Sequence, residues 1–245
     1  MKFYESIAPY YDLIFDPEDS AGIINEKYLK GRPGRVIDIG CAAGKLSAGL
    51  AGFKHDVTAI DLDEKMIEAA NAKYAQKGLD LKFMRVNMLD VAEVFSPDSF
   101  DAAVCLGNTI VHLDGFDGIA EFFVSLYRIL KPGAVFVAQI LNYDRILSQK
   151  IDKLALIEND EIRFERNYDL DLFKNNGRIS FITALTVKST GVVIRNKAPL
   201  YPAKKQEIAD ALTAAGFKEV NFYSDIDGAP FSPENSGPLA FCAVK

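Results

Sequence analysis

Between residues 36 and 140, short apolar runs alternate with stretches whose apolar residues recur at helical spacing. Val36-Ile37-Asp38-Ile39 and Val57-Thr58-Ala59-Ile60 have strand length and little polarity, and the amphipathic stretch Lys45 to Phe53 lies between them. Asp63 to Lys77 is predicted as a helix ended by Gly78. Leu81 to Val86 and Phe100 to Leu106 follow as strands, then a long helix from about Gly118 to Leu130. Lys131-Pro132-Gly133 is expected to stop that helix before a fifth strand, Ala134 to Ile140. Near-continuous apolar strands alternating with helices predict an α/β protein whose parallel sheet is covered on both faces.

The period changes after residue 158. Glu161 to Leu170, Arg178 to Val187 and Val192 to Leu200 predict three β segments, with Asn175-Asn176-Gly177 and Ser189-Thr190-Gly191 as the turns. Such turns mark antiparallel hairpins. One alternating set (Ile162, Phe164, Arg166, Tyr168; Ile179, Phe181, Thr183, Leu185) predicts a packed side and a wet side. Lys204 to Ala215 returns to helix, capped by Gly216, and Phe217 to Tyr223 and Leu239 to Val244 are the last strands expected. No repeat, low-complexity tract or linker interrupts the chain. A single domain over 1–245 is therefore expected, with 158–202 as an antiparallel insertion before the last helix.

Charge and cysteines narrow the setting. The net charge of -6 argues against a protein that lives on a phosphate backbone. No apolar run approaches the ~20 residues needed to span a bilayer, and Met1-Lys2-Phe3-Tyr4-Glu5 lacks the features of a signal peptide. Cys41, Cys105 and Cys242 are odd in number and far apart, which fits reduced thiols better than disulfides or zinc. Two histidines are too few for a multi-histidine metal centre. The expectation is a cytoplasmic enzyme or binding protein with no metal, no nucleic-acid partner and no membrane partner.

The most informative segment is Val36-Ile37-Asp38-Ile39-Gly40-Cys41-Ala42-Ala43-Gly44, a strand entering a turn of tiny residues that opens a helix. Gly40 and Gly44 allow close backbone approach to a ligand, and Ala42 adds little bulk. Alone, this also fits a tight strand-helix turn with no ligand. Asp61, 21 residues past Gly40 at the end of the second strand, tips the balance, because a carboxylate there reaches nucleoside ribose hydroxyls. The spacing is not G-x-G-x-x-G, since Ala42 takes the second glycine position and Gly44 comes one residue early.

The run Asp38-x-Gly40-Cys41-Ala42-Ala43-Gly44 followed by Asp61 resembles motif I of the class I S-adenosylmethionine-dependent methyltransferases. Ile60-Asp61-Leu62-Asp63-Glu64-Lys65-Met66, Val86-Asn87-Met88-Leu89-Asp90, the strand ending at Leu106, and Ile129-Leu130-Lys131-Pro132-Gly133 resemble the family in the same order. The resemblance implies a Rossmann-like, mostly parallel seven-stranded sheet, S-adenosylmethionine as cofactor and S-adenosylhomocysteine as product. It implies cofactor contacts at Asp38, Gly40, Cys41, Ala42, Gly44, Asp61, Leu62, Met66 and Leu106, with Asn87 and Met88 toward adenine. Residues 1–30, opening Tyr4-Glu5-Ser6-Ile7-Ala8-Pro9-Tyr10-Tyr11-Asp12, resemble a helical lid that sets Tyr4 and Tyr11 over the methionine end. An amphipathic helix packing its tyrosines on the domain is the alternative.

Leu106-Gly107-Asn108-Thr109-Ile110-Val111-His112-Leu113 and Asn142-Tyr143-Asp144 resemble the glycine/sarcosine N-methyltransferase group. That likeness implies Asn108 beside the acceptor and His112 lining the same cleft; a histidine satisfied in a helix–sheet contact is the alternative for His112. The arginine that grips a carboxylate before N-Y-D in that group is replaced by Leu141, and Arg145 is the substitute considered. Methyl transfer mainly demands orientation, worth roughly 7–11 kcal/mol in favourable cases, and neither a Ser-His-Asp set nor a ligand cluster is evident. The expected function is methyl transfer to a nitrogen (or oxygen) of a small molecule. A macromolecular methyltransferase acting on nucleic acid or protein, a dinucleotide-binding oxidoreductase and a non-catalytic binding module are the rivals. The meander is read as a cavity cover or a subunit interface, which leaves a homo-oligomer open.

Overall fold

The expected strands assemble into two sheets in a computed structural model, which describes residues 2–15, 19–171, 173 and 177–245. The larger sheet uses β1 (Arg35–Ile39), β2 (Asp56–Asp61), β3 (Leu81–Arg85), β4 (Phe100–Cys105) and β5 (Leu130–Leu141), with β10 (Lys218–Tyr223) and β11 (Pro238–Val244). Its order is β10-β11-β5-β4-β1-β2-β3, and β11 pairs antiparallel with both of its neighbours. The smaller sheet, β6 (Ile157–Glu158), β7 (Ile162–Asp169), β8 (Ile179–Val187) and β9 (Val193–Leu200), is antiparallel throughout. This is the seven-stranded, mostly parallel sheet with an antiparallel insertion before the last helix that the resemblance implied.

Helices are α1 (Lys2–Ile7), α2 (Tyr11–Ile14), α3 (Ser20–Ile23), α4 (Lys45–Gly52), α5 (Glu64–Tyr74), α6 (Val91–Val94), α7 (Gly115–Ile129), α8 (Tyr143–Ser148) and α9 (Lys205–Ala215). The two-residue period of the strands feeds both faces. Ile37, Ile39, Ala103, Cys105, Phe136 and Ile140 join the core beneath α7 and α9, while Val36, Ala102, Val104 and Val137 join the core beneath α4. An all-apolar strand is therefore required at each of these positions. Between β1 and β4 the strand order reverses, so two loops diverge there and open a crevice at the carboxyl ends of the strands.

The N-terminal helices do not pack on the larger sheet alone. Phe3, Ile7 and Ile14 are buried against Ile162, Phe164, Leu185 and Ala198 of the meander, and Ala8 packs with Ala42 and Met66 beside the glycine loop. They bridge the crevice between insertion and main sheet.

Four boundaries differ from the sequence reading. Lys131-Pro132-Gly133 lies within β5: Leu130 pairs with Phe100, and the register shifts before Ala102 meets Val135. An irregularity in the ladder tolerates a residue without an N–H, and Gly133 (φ +79) donates its amide to Lys245 O. The helix after Asp63 stops at Tyr74, because Lys77 closes a turn back on Tyr74 and leaves Gly78 in the loop beyond. The long helix starts at Gly115 rather than Gly118. The meander gains β6, a short strand with no periodic signal, and Asn175 and Asn176 of the expected turn lie outside the described residues. Among the described residues no helix is long and apolar enough to cross a membrane.

Candidate functional site

The loop after β1 is wound by three left-handed residues, Gly40 (φ +75), Ala42 (φ +47) and Gly44 (φ +84). A Cβ at Gly40 would stand 2.4 Å from Thr109 Cγ2, and one at Gly44 would stand 2.6 Å from Phe83 Cζ. Both glycines are thus demanded by the protein's own packing as well as by their backbone angles. Ala42 holds its angle at a cost of about 1–2 kcal/mol, and its amide donates to Asp61 Oδ2 at 2.9 Å. The second Asp61 oxygen accepts from Asp63 N, also at 2.9 Å. Asp63 in turn caps α5 by accepting from Lys65 N and Met66 N. The acidic residue after β2 therefore ties the glycine loop to the start of α5.

Two carboxylates in this region, one buried and one part-buried, have no basic partner among the described residues. Asp38 is 2% exposed; it accepts one hydrogen bond, from Ser47 Oγ at 2.5 Å, and burial raises its pKa to about 7. Burial also raises Asp61, against the pull of its backbone donors. Burial pushes the Cys41 and Cys105 thiols up, which keeps them protonated and unreactive.

Two adjoining cavities open here, of about 430 and about 120 Å³. The larger is lined by Asp38, Gly40, Cys41, Ala42, Gly44, Leu106 and Asn108, the smaller by Asp61, Leu62, Met66, Asn87 and Met88. Tyr4, Tyr11 and His112 line both. Apart from Arg145, the residues singled out for the cofactor and the acceptor thus come together around one crevice. The smaller cavity is a slot with apolar walls, Ile60, Met66, Val86 and Leu113 among them, beside the Asp61 carboxylate. Asn87 has its side-chain oxygen engaged in capping, accepting from Leu89 N at 3.2 Å.

Asn108 sits in the left-handed region (φ +69), and its carboxamide is largely committed to the fold. Its Oδ1 accepts from Leu141 N at 2.9 Å, and its Nδ2 donates to Tyr143 Oη at 2.9 Å. Each residue of the N-Y-D segment has a supporting role. Asn142 is wholly buried, caps α8 by accepting from Arg145 N, and donates to Pro233 O and Ser236 O. Tyr143 holds Asn108, and Asp144 accepts from Lys205 N at the start of α9. Tyr4 Oη and His112 Nε2 are hydrogen-bonded at 2.8 Å, and the two rings meet edge to face. Burial, reinforced by the positive charge of Arg178, lowers the His112 pKa to about 4, so the imidazole is neutral at pH 7.

Arg145 does not replace the missing arginine. It sits on the surface turn of α8 and bonds Gln149 rather than lining either cavity. The residues that sequence reasoning missed come from the insertion and its approach: Leu154, Arg166, Tyr168 and Phe181 complete the larger cavity, and Gln139 enters from β5. A signal existed, since Arg166 and Thr183 interrupt an otherwise apolar or aromatic alternating face; the destination of that face is set by β-pairing far along the chain.

Residues 36–133 match a methyltransferase domain family. A putative methyltransferase of Geobacillus sp. (strain WCH70) is 32% identical over 143 residues, 56% of this chain and 57% of that protein. Glycine N-methyltransferase of Mus musculus is 32% identical over 124 residues, 46% of this chain and 42% of that protein. The matches thus span less than two thirds of these relatives' length. The crystal structure of an S-adenosylmethionine-dependent methyltransferase from Clostridium acetobutylicum superposes with a TM-score of 0.79 over 98% of both chains, at 18% identity, which is a likeness of fold. Motifs and domain match agree on a methyltransferase domain over residues 36–133, and the likeness of fold to an S-adenosylmethionine-dependent methyltransferase extends over nearly the whole chain.

Proposed function

We propose that this protein transfers the methyl group of S-adenosylmethionine to a nitrogen or oxygen of a small molecule. The observation that carries the reading is the pair of adjoining cavities around the glycine loop, flanked by the buried Asp38 and the part-buried Asp61 carboxylates, neither with a basic partner among the described residues. Bound cofactor would supply an activated methyl group on a positively charged sulfur. The residues fit such a group. Asp61 retains lone pairs beside an apolar slot sized for a base, where Leu62, Met66 and Met88 are the proposed walls and Asn87 a polar edge. Asp38 offers negative charge in the larger cavity, where a cationic ligand would offset its burial. Gly40, Cys41, Ala42, Gly44 and Leu106 would contact the ligand through backbone and small side chains.

On the acceptor side, the chain's own work is orientation, exclusion of water and removal of a proton. Tyr4 and Tyr11 line the junction of the two cavities, where their rings would face a sulfonium and gain some cation–π attraction. Asn108 is the proposed acceptor contact, through the Nδ2 hydrogen that Tyr143 does not occupy. His112 is neutral and bonded to the Tyr4 hydroxyl, so the pair can draw a proton from an acceptor at that hydroxyl. The described residues of 1–30 act as the lid and those of 158–202 as the outer wall of one domain. A wall of this kind, with Ile14, Phe15, Leu154 and Phe181 lining the chamber, favours a small acceptor over a nucleic acid or a folded protein. The test is release of S-adenosylhomocysteine, measured by mass spectrometry, from purified protein given S-adenosylmethionine and a panel of small amines, amino acids and phenols. Calorimetric titration that detects no binding of S-adenosylmethionine or S-adenosylhomocysteine would refute the reading.

A further inference from the structure

β7 and β8 turn one face toward the larger cavity, and that face carries a cation. Arg166 and Tyr168 are two residues apart on β7, and Thr183 and Phe181 stand directly across from them on β8. Arg166, Tyr168 and Phe181 line the cavity together with Leu154 and Leu141. A half-buried guanidinium is costly unless a carboxylate or a full set of hydrogen bonds receives it. Arg166 has neither. Its Nη2 donates to Ala155 O at 2.8 Å, its Nε is buried with no hydrogen-bond partner, and no carboxylate pairs with it among the described residues. Thr183 Oγ1, across the strand, is likewise buried and unpartnered. Burial lowers the Arg166 pKa, the direction expected of a cation lacking a counter-ion.

We propose that the methyl acceptor is a small carboxylic acid with an apolar body, its carboxylate held by Arg166; this rests on the methyl-transfer reading above. Arg166 shares its wall with Leu154, Tyr168 and Phe181, which pack with Leu141 in the main core, whereas Lys45, the other long basic side chain lining the cavity among the described residues, opens α4 at the glycine loop. The cation is therefore on the acceptor side. Its planar fork suits a carboxylate, and one positive charge balances a monoanion better than a phosphate. Leu141, Leu154 and Phe181 supply apolar contact for the rest of the molecule.

The test pairs each acid with its uncharged twin: sarcosine, phenylalanine and 4-hydroxyphenylacetate against their primary amides. Both S-adenosylhomocysteine release and calorimetric binding are followed, in wild type, Arg166→Met and Arg166→Lys. At least one acid is expected to bind and react better than its amide by on the order of tenfold to a hundredfold. Arg166→Met should reduce that ratio to about one, and Arg166→Lys should recover part of it, while S-adenosylhomocysteine binds all three proteins within about twofold. Equal or better use of the amides by wild type would overturn the proposal and leave methyl transfer standing. Loss of S-adenosylhomocysteine affinity in Arg166→Met would overturn it too, by assigning the cation to the cofactor's own carboxylate. If the protein binds no cofactor, the methyl-transfer reading fails and the acceptor proposal fails with it, even if the acids still bind through Arg166.

Discussion

Replacing Asp38 by asparagine should stabilise the ligand-free protein, and the gain should depend on pH. In the folded chain burial lifts the Asp38 pKa from an ordinary 3.8 to about 7, and Ser47 supplies the hydrogen bond that opposes this. A carboxyl with a raised folded pKa binds its proton more tightly folded than unfolded. Stability is therefore undiminished below the unfolded value and declines as pH rises from about 4 through about 7. The interval corresponds to about 4 kcal/mol at full ionisation. Asparagine keeps the shape and an acceptor for Ser47 but carries no charge. Its advantage should grow from under about 1 kcal/mol near pH 4 to at most about 4 kcal/mol at pH 8. For a chain of this size that ceiling is on the order of 10 °C in Tm. Calorimetric melts of both proteins at pH 4, 5, 6, 7 and 8 measure it, and the difference between them removes titrations common to both. A gain that is flat across pH, or a variant less stable than wild type at pH 8, would refute the argument that a desolvated charge resides at Asp38. The cofactor should reverse the ranking: S-adenosylmethionine should raise the Tm of wild type more than that of Asp38→Asn.

Other substitutions probe the scaffold of the site. Gly44→Ala should cost about 2 kcal/mol or more, from its left-handed angle and the Phe83 ring 2.6 Å from the new Cβ. In denaturant unfolding, a second change, Phe83→Ala, should relieve the steric part of that cost and leave the backbone part. Asn142→Ala should lose about 2–4 kcal/mol by freeing the α8 terminus and the carbonyls of Pro233 and Ser236; a melt unchanged within a degree would show that these bonds carry little. His112 has a folded pKa of about 4 against an ordinary 6.5, so its neutral form contributes stability that is complete above about pH 6.5 and lost as pH falls through about 4. His112→Gln should flatten the acid limb of stability over that window, and a wild-type kcat/KM profile titrating near 6.5 through His112 would contradict the burial argument.

The glycine-loop side of the crevice was legible because its determinants are local. A glycine loop, the carboxylate at the end of the next strand and the Asp63 cap lie within about thirty residues, and short-range backbone geometry fixes their relation. The side of the crevice proposed for the acceptor was legible only in fragments. Asn108 and His112 stood out by resemblance, but the commitment of Asn108 to Leu141 and Tyr143 depends on contacts more than thirty residues away. Arg145 looked like a stand-in cation because it is near Leu141 in sequence; helix α8 turns it outward to Gln149.

The sequence by itself determined most of the strands and the longer helices, that the larger sheet is buried on both faces, and that a glycine loop follows β1 with Asp61 at the end of the next strand. Period-two and 3.6-residue patterns and glycine spacing are sufficient for that, because they express local torsional preference and burial. Only the tertiary structure decided that α1 and α2 bridge the glycine loop and the meander, that β7 and β8 wall the larger cavity, and that Arg166 is a cation on that wall. Those facts rest on the packing of elements about 160 residues apart in the chain. A single alternating strand states that one of its faces is covered, and cannot state by what, because side chains of many sequences fill the same apolar volume.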